Sequence, residues 1–129
     1  MKKVISTTNS PKAVGPYSQG ISIENFIYTS GQIPLDPKTG EIVSQDIEDQ
    51  THQSLKNLQA VVAAGGAVLE DVVKVNIFLT DMGYFSKVNE IYKQYFSKKE
   101  PARSCVEVSS LPLGVKIEIE AVAVKGDVD

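Results

Sequence analysis

The chain has 129 residues, a formal net charge of -3, one cysteine, one histidine and 42% hydrophobic residues. This length and composition predict a single domain over residues 1–129 with its own hydrophobic core, and they exclude disordered, collagenous and membrane-spanning proteins. The small negative charge and the lack of a basic block argue against nucleic acid and anionic membranes as partners.

Hydropathy patterning and turn residues predict the secondary structure in chain order. The periodicity of apolar residues separates helices from strands, and glycine, proline and asparagine mark the turns between them. The resulting order of strands, helix, strand, helix and strands predicts an α+β fold with both helices on one face of a sheet. The predicted elements are strands over 21–23 and 26–29, a helix over 46–64, a strand over 71–79, a helix over 84–96, and strands over 102–108 and 116–124.

Alternation along the last two predicted strands shows which side chains share a face. In the last strand the isoleucines and alanines belong under the helices, so Glu118 and Glu120 project to the other face. In the preceding strand Arg103 and Cys105 share one face, and if the two strands are neighbours, all four side chains line one surface. Such a surface of mixed polarity closes an oligomer, lines a site, or does both.

Arg103 is the only arginine beside twelve lysines. A guanidinium differs from an ammonium in offering a planar fork that binds a carboxylate through two parallel hydrogen bonds. Two interpretations stay open on this ground: a structural ion pair with Glu107, Glu118 or Glu120, or a binding site for a small carboxylate ligand.

The two glutamates of the last strand form a second candidate feature. Carboxylates that lie close together raise each other's pKa, and partial burial adds to this effect, so either Glu118 or Glu120 could carry a proton near neutral pH. Spacing does not decide between them, and both could equally be interface or salt-bridge residues. Cys105 is interpreted as a small buried thiol and His52 as a surface residue, since neither has a partner for nucleophilic catalysis.

Other chemistries have little support. One histidine and one cysteine argue against a catalytic zinc site, and the chain has no glycine-rich nucleotide motif, so neither metal nor cofactor is expected. Asn89 is interpreted as a polar residue at the boundary of an apolar stripe. One cysteine, together with a polar stretch after Met1 in place of an apolar signal core, indicates a cytoplasmic protein.

Several stretches carry a family resemblance: residues 10–19, 28–34, 75–81, Asn89 and Glu90, residues 101–105, Leu111 and Pro112, and residues 117–121. Taken together they resemble the YjgF/RidA family, the reactive-intermediate (enamine/imine) deaminases. The likeness covers nearly the whole chain in order.

The resemblance implies a chorismate-mutase-like (RidA-like) α+β subunit that forms a homotrimer with clefts between subunits. It implies a deaminase without cofactor that hydrolyses 2-imino acids, such as 2-iminobutanoate and 2-iminopropanoate, to 2-oxo acids and ammonia. The enamines that give rise to these imines are released by pyridoxal-phosphate enzymes. Carried over by position, the resemblance implies that Arg103 binds the substrate carboxylate, that Glu118 orients or activates water, and that the cleft is shaped by Tyr17, Ser30, Gly31, Asn89 and Cys105.

Two other functions are kept as alternatives. A non-catalytic protein that binds small 2-oxo acids would use the same arginine without turnover. A ribonuclease-like translation inhibitor would need a basic groove or a pair of histidines, and the sequence offers neither.

Overall fold

The computed structural model describes residues 1–126 of the chain. The domain prediction over 1–129 includes three residues outside this range and stays a prediction. In the described part, six strands form one mixed sheet and two α-helices accompany it. The elements are β1 (Lys3–Ile5), β2 (Gly20–Ile23), β3 (Phe26–Thr29), α1 (Ile47–Ala64), β4 (Val72–Leu79), α2 (Phe85–Tyr95), β5 (Ala102–Glu107) and β6 (Ile117–Val124).

All seven predicted elements are present, and the α+β prediction is confirmed. Helix α1 is bounded by the signals that the sequence carries: the Asp46 side chain accepts a hydrogen bond from the backbone N–H of Asp49, and Gly65 ends the helix. Strand β1 was not predicted. It has only three residues, two of them exposed, and it exists because it pairs with β2 at the edge of the sheet.

The core lies between the helices and one face of the sheet. Apolar residues of α1 and α2 meet the inward-facing residues of β6 in one continuous cluster. The alternation predicted for β6 is confirmed, because its odd-numbered residues are buried and its even-numbered residues are not. The buried residues of this cluster include Leu55, Leu58, Val61, Val62, Val88, Ile91, Tyr92, Ile117, Ile119, Ala121 and Ala123.

The strand order corrects one prediction. It runs β1-β2-β3-β6-β4-β5, so β4 lies between β5 and β6, and β5 runs parallel to β4. Arg103 is paired with the buried Val75 and therefore lies on the helix-covered face, whereas Glu118 is paired with Phe78 on the opposite face. The prediction that Arg103, Cys105, Glu118 and Glu120 line one surface of a single chain is wrong.

The physical reason is the connection between β4 and β5. A helix joins the two strands, and a strand–helix–strand unit places its strands side by side and parallel. Alternation predicts the two faces of each strand correctly, but it does not predict which strands are neighbours.

The face of the sheet without helices, here called the open face, is covered by no other element of the described chain. Its apolar side chains remain accessible: Phe26 is 42% exposed and Tyr28 45% exposed, and their rings stack with centroids 6.3 Å apart. No helix within residues 1–126 combines the length and hydropathy needed to cross a lipid bilayer. The side chains of the open face include Val4, Ile21, Ile23, Phe26, Tyr28, Phe78, Val106, Glu118, Glu120, Val122 and Val124.

Candidate functional site

A cavity of about 610 Å³, here called the site cavity, lies where the segment before β2 and the loop after β3 meet β6. It brings together four of the residues that the resemblance implies for a substrate cleft: Tyr17, Ser30, Gly31 and Glu118. Much of the remaining lining is apolar, including side chains of Ile33, Leu35 and Leu113. The cavity thus combines one carboxyl group and the side chain of Lys12 with a largely apolar wall, which is typical of small-molecule sites.

The wall of the site cavity is held by Gln19, a residue that the sequence reasoning did not single out. This buried side chain accepts a hydrogen bond from the backbone N–H of Thr7 at 2.7 Å and donates to the carbonyls of Thr7 at 3.0 Å and Pro11 at 2.8 Å. It therefore ties the preceding segment to β2. No local pattern signals this role, because the partners lie eight to twelve residues away in the chain.

Ser30 and Tyr17 are fixed by hydrogen bonds with the same segment. The Ser30 hydroxyl donates to the Ser18 carbonyl at 2.5 Å, and the Ser30 N–H donates to the Gln19 carbonyl at 2.9 Å. The Tyr17 hydroxyl accepts a hydrogen bond from the Val14 N–H at 3.3 Å, while the ring remains 52% exposed at the cavity. Both residues therefore present defined surfaces to a ligand.

Gly31 is glycine because Glu118 lies directly against its backbone. A Cβ atom placed on Gly31 would lie 1.8 Å from Oε2 and 2.9 Å from Cγ of Glu118, and both distances are shorter than real contacts. Only a residue without a side chain lets the carboxyl group occupy this position. The loop after β3 therefore sets where the carboxyl group of Glu118 sits in the cavity.

The environment of Glu118 favours its protonated form. Burial raises the pKa of the Glu118 carboxyl above its ordinary value, and the nearby Glu120 carboxylate raises this pKa further. Glu120 itself accepts a hydrogen bond from Nδ2 of Asn76 at 3.0 Å and so has a partner on β4. Of the two glutamates, Glu118 is the one that lines the site cavity.

We predict that Gly31→Ala displaces the Glu118 side chain and lowers catalytic activity by about 10-fold, with little change in melting temperature. The clashing atoms belong to a flexible side chain that can move aside, so the fold is retained while the carboxyl group leaves its position. Kinetics and thermal unfolding of Gly31→Ala test this. The control is the same substitution in a Glu118→Ala background, where it should have no further effect; an equal loss there would contradict the explanation.

The predicted Arg103 guanidinium lies on the helix-covered face of the sheet. The Nη1 atom of Arg103 donates to Oδ1 of Asn89 at 2.8 Å, and its guanidinium carbon lies 5.5 Å from the ring centroid of Phe85 and 4.8 Å from that of Tyr92. These four residues are here called the arginine cluster. Within residues 1–126 a salt bridge joins Lys93 and Glu90, and Arg103 takes part in no salt bridge. The interpretation of Arg103 as an ion-paired structural residue of a single chain is therefore wrong.

Cys105 and His52 have ordinary structural environments. Cys105 is half-buried on β5 rather than fully buried as expected; burial raises the pKa of its thiol, and the Arg103 charge opposes that effect. His52 is half-buried rather than a surface residue, because its Nδ1 atom lies 2.8 Å from the hydroxyl of Tyr95. Among the described residues, no group of three His, Cys, Asp or Glu side chains is arranged to hold a metal ion.

The predicted site residues thus fall into two groups. Tyr17, Ser30 and Gly31 line the site cavity with Glu118, whereas Asn89 and Cys105 lie with Arg103 on the other face of the sheet. Within one chain the sheet separates the Arg103 guanidinium from the Glu118 carboxyl group. A site that uses both groups needs residues from two copies of the chain.

Comparison with known proteins extends the similarity over nearly the whole chain. A sequence model of the family described as Endoribonuclease L-PSP matches residues 7–125. The chain is 57% identical over 125 residues to a RutC family protein of Pyrococcus horikoshii, covering 97% of this chain and 99% of that protein. It is 50% identical over 128 residues to the 2-iminobutanoate/2-iminopropanoate deaminase of Escherichia coli strain K12, covering 97% and 99%.

The fold shows the same relationship. The crystal structure of E. coli TdcF with bound serine superimposes with a TM-score of 0.91 at 46% sequence identity, covering 96% of this chain and 99% of that chain. The two chains are therefore similar both in sequence and in the arrangement of their helices and strands.

Proposed function

Because this chain belongs to the YjgF/RidA family, whose sequence model is described as Endoribonuclease L-PSP, we propose that it is a 2-iminobutanoate/2-iminopropanoate deaminase. It hydrolyses reactive 2-imino acids to 2-oxo acids and ammonia. The observation that carries the proposal is Arg103, a half-buried guanidinium that forms no ion pair within residues 1–126 and is held by a neutral amide. Such a group is available to a ligand's carboxylate.

The active sites lie between subunits of a homotrimer. Two observations support this assembly: the open face leaves aromatic and aliphatic side chains exposed, and the arginine cluster and site cavity lie on opposite faces of the sheet. In each cleft one subunit supplies Arg103 and its neighbour supplies Glu118. The serine bound to the relative TdcF has a carboxylate on a small carbon chain, as the proposed substrates do.

Catalysis then follows from position and proton transfer. Arg103 binds the substrate carboxylate and thereby fixes the adjacent imine carbon. Water, oriented by Glu118, attacks this carbon; the C=N electron pair moves to nitrogen, and the Glu118 carboxylate accepts the proton that the water loses. The same carboxyl group returns the proton to the nitrogen of the carbinolamine. The carbinolamine hydroxyl then passes its own proton through the Glu118 carboxylate to the nitrogen, and the C–N bond breaks as the C=O bond forms, so that ammonia leaves and the net reaction consumes one water.

A site with few catalytic groups is sufficient for this reaction. The free imine already hydrolyses in water, so a modest acceleration is useful, and the mechanism needs neither a metal ion nor a covalent intermediate. Glu118 suits the role because its raised pKa keeps donor and acceptor forms interconvertible closer to neutral pH than for a free glutamate.

We predict that Glu118→Gln lowers kcat/KM by about 10-fold, less than the typical effect of removing a general acid or base, because free water partly substitutes. In the wild type the acceleration over uncatalysed hydrolysis should fall as the pH drops through the raised pKa of Glu118, since the protonated carboxyl group cannot accept the proton. In Glu118→Gln this acid limb should be absent.

Glu120→Gln is the matched control for the pH profile. It removes the charge that raises the pKa of Glu118, so the acid limb should move to lower pH without disappearing. Profiles of Glu118→Gln and wild type that coincide would show that Glu118 only packs.

The direct test of the proposed function is a coupled assay in which an amino-acid oxidase generates the imine in the presence of the protein. Faster release of 2-oxo acid and ammonia supports the deaminase. Saturable binding of 2-oxobutanoate without turnover would select the 2-oxo acid binding protein instead. RNA cleavage would revive the ribonuclease alternative, although the single histidine, His52, faces Tyr95 rather than the site cavity.

A further inference from the structure

Three residues of the arginine cluster are regularly spaced along α2. Phe85, Asn89 and Tyr92 are spaced as i, i+4 and i+7, so they form one stripe along the helix. Strand β5 runs beside β4 under this helix and places Arg103 against that stripe. All three side chains contact or face the guanidinium: one by a hydrogen bond of 2.8 Å and two by their ring faces.

The contacts of the Arg103 guanidinium with the protein use few of its N–H donors. Asn89 accepts from one nitrogen, Nη1, while the rings of Phe85 and Tyr92 approach the cation without using its N–H donors. A guanidinium has five N–H donors, so most of them remain for a carboxylate. A neutral acceptor also leaves the positive charge uncompensated, which an aspartate at position 89 would not.

Tyr92 supports the arginine through its ring and not through its hydroxyl. The hydroxyl is buried and has no hydrogen-bond partner within residues 1–126, and burial raises its pKa to about 12, so the phenol stays neutral. Behind the ring, Phe96 lies with its centroid 4.7 Å from that of Tyr92. The aromatic surface under Arg103 is therefore fixed by the core of the fold.

We propose that Phe85, Asn89 and Tyr92 are positioning residues that hold the Arg103 guanidinium in its carboxylate-binding orientation before the substrate arrives. The inference rests on the proposed function, since it concerns the residue that binds the substrate. A free arginine side chain loses rotamer entropy when it is immobilised. Where the protein has already ordered the side chain, substrate binding no longer carries this cost.

The test compares the KM values of two substitutions of Asn89, because the order of these values depends on what the residue does. Asn89→Ala removes the acceptor and should raise KM by about 10-fold with a smaller change in kcat. Asn89→Asp keeps the shape and the acceptor but adds a charge that competes with the substrate carboxylate, so KM should rise further than in Asn89→Ala. If Asn89 only packed, the near-isosteric aspartate would be the milder change, and that result would overturn the proposal.

A second pair tests the aromatic surface. Tyr92→Leu should raise KM by several fold, and the conservative Tyr92→Phe should recover most of that loss because it keeps the ring. Tyr95→Phe is the matched control: it removes a phenol hydroxyl from the same helix, outside the arginine cluster, and should leave KM unchanged. Equal KM values for Tyr92→Leu and the wild type would contradict the proposed role.

Two measurements separate this inference from the proposed function. Binding of 2-oxobutanoate, followed by calorimetry, reports on the carboxylate site without turnover and should weaken in parallel with KM. Thermal unfolding shows whether each variant is folded. A wild-type protein that does not hydrolyse imines refutes the proposed function, whereas an active wild type with the reversed order of Asn89 variants refutes only the positioning role.

Discussion

Arg103→Ala is expected to lower kcat/KM for imine hydrolysis by at least about 10²-fold while leaving the fold intact. The substitution removes the N–H donors and also the positive charge at the point where the substrate carboxylate binds. Misplacement of the reacting carbon alone can lower the rate by about 10²-fold. The fold should persist because Arg103 lies on the edge strand β5, is half-buried and has no ion pair within residues 1–126 to lose.

Arg103→Lys separates charge from geometry. Lysine keeps the charge but lacks the planar fork and stacks less well on Phe85 and Tyr92, so an intermediate activity is expected. Lys87→Ala, which removes an exposed charge from α2, is the control and should leave activity unchanged. Initial rates in the coupled assay over a range of imine concentrations provide the measurement. More than half of the wild-type activity in Arg103→Ala would exclude the mechanism.

Much of the fold could be predicted because local patterns decide it. Helix α1 has an apolar stripe with an acidic start and a glycine end, and β6 alternates between buried and half-buried residues along its length. Both features are encoded within a few residues of each other. The three-residue β1 has no such pattern, since its formation depends on pairing with β2.

The strand order could not be predicted from the same information. Alternation assigned Arg103 and Cys105 to one face of their strand and Glu118 and Glu120 to one face of theirs, and both assignments are correct. Placing the two strands side by side was wrong, because β4 lies between them and the shared face is lost. Because of this error, Arg103 was expected on the same face of the sheet as Glu118 and Glu120, whereas it lies on the opposite face.

The candidate site depends on contacts between residues that are distant in the sequence. The glycine at position 31 is explained only by the carboxyl group of Glu118, which lies against it from β6. The interpretation of Asn89 as a boundary residue missed its hydrogen bond to Arg103, fourteen residues further along the chain. Residue type alone suggested Arg103, since an unusual side chain in a lysine-rich sequence is visible without any structure.

Mixed oligomers of Arg103→Ala and Glu118→Gln subunits are expected to be about threefold more active than Glu118→Gln alone and far more active than Arg103→Ala alone. If each cleft takes its arginine from one subunit and its glutamate from the neighbour, a Glu118→Gln subunit still supplies Arg103 and an Arg103→Ala subunit still supplies Glu118. Random assembly of an equal mixture then restores about a quarter of the clefts to the wild-type composition. Without shared sites, the mixture would only average the two variants, giving about 5% of wild-type activity if Glu118→Gln retains about a tenth.

The experiment requires subunits to be exchanged, so the variants are co-expressed or refolded together and compared with the same proteins mixed after separate assembly. Only the co-assembled sample should recover activity. A double variant, Arg103→Ala with Glu118→Gln, co-assembled with wild type provides the control, because it leaves only wild-type neighbours able to form complete clefts. Equal activities of the co-assembled and late-mixed samples would place each site within one chain. The sheet itself argues against that outcome, since it holds Arg103 and Glu118 on opposite faces.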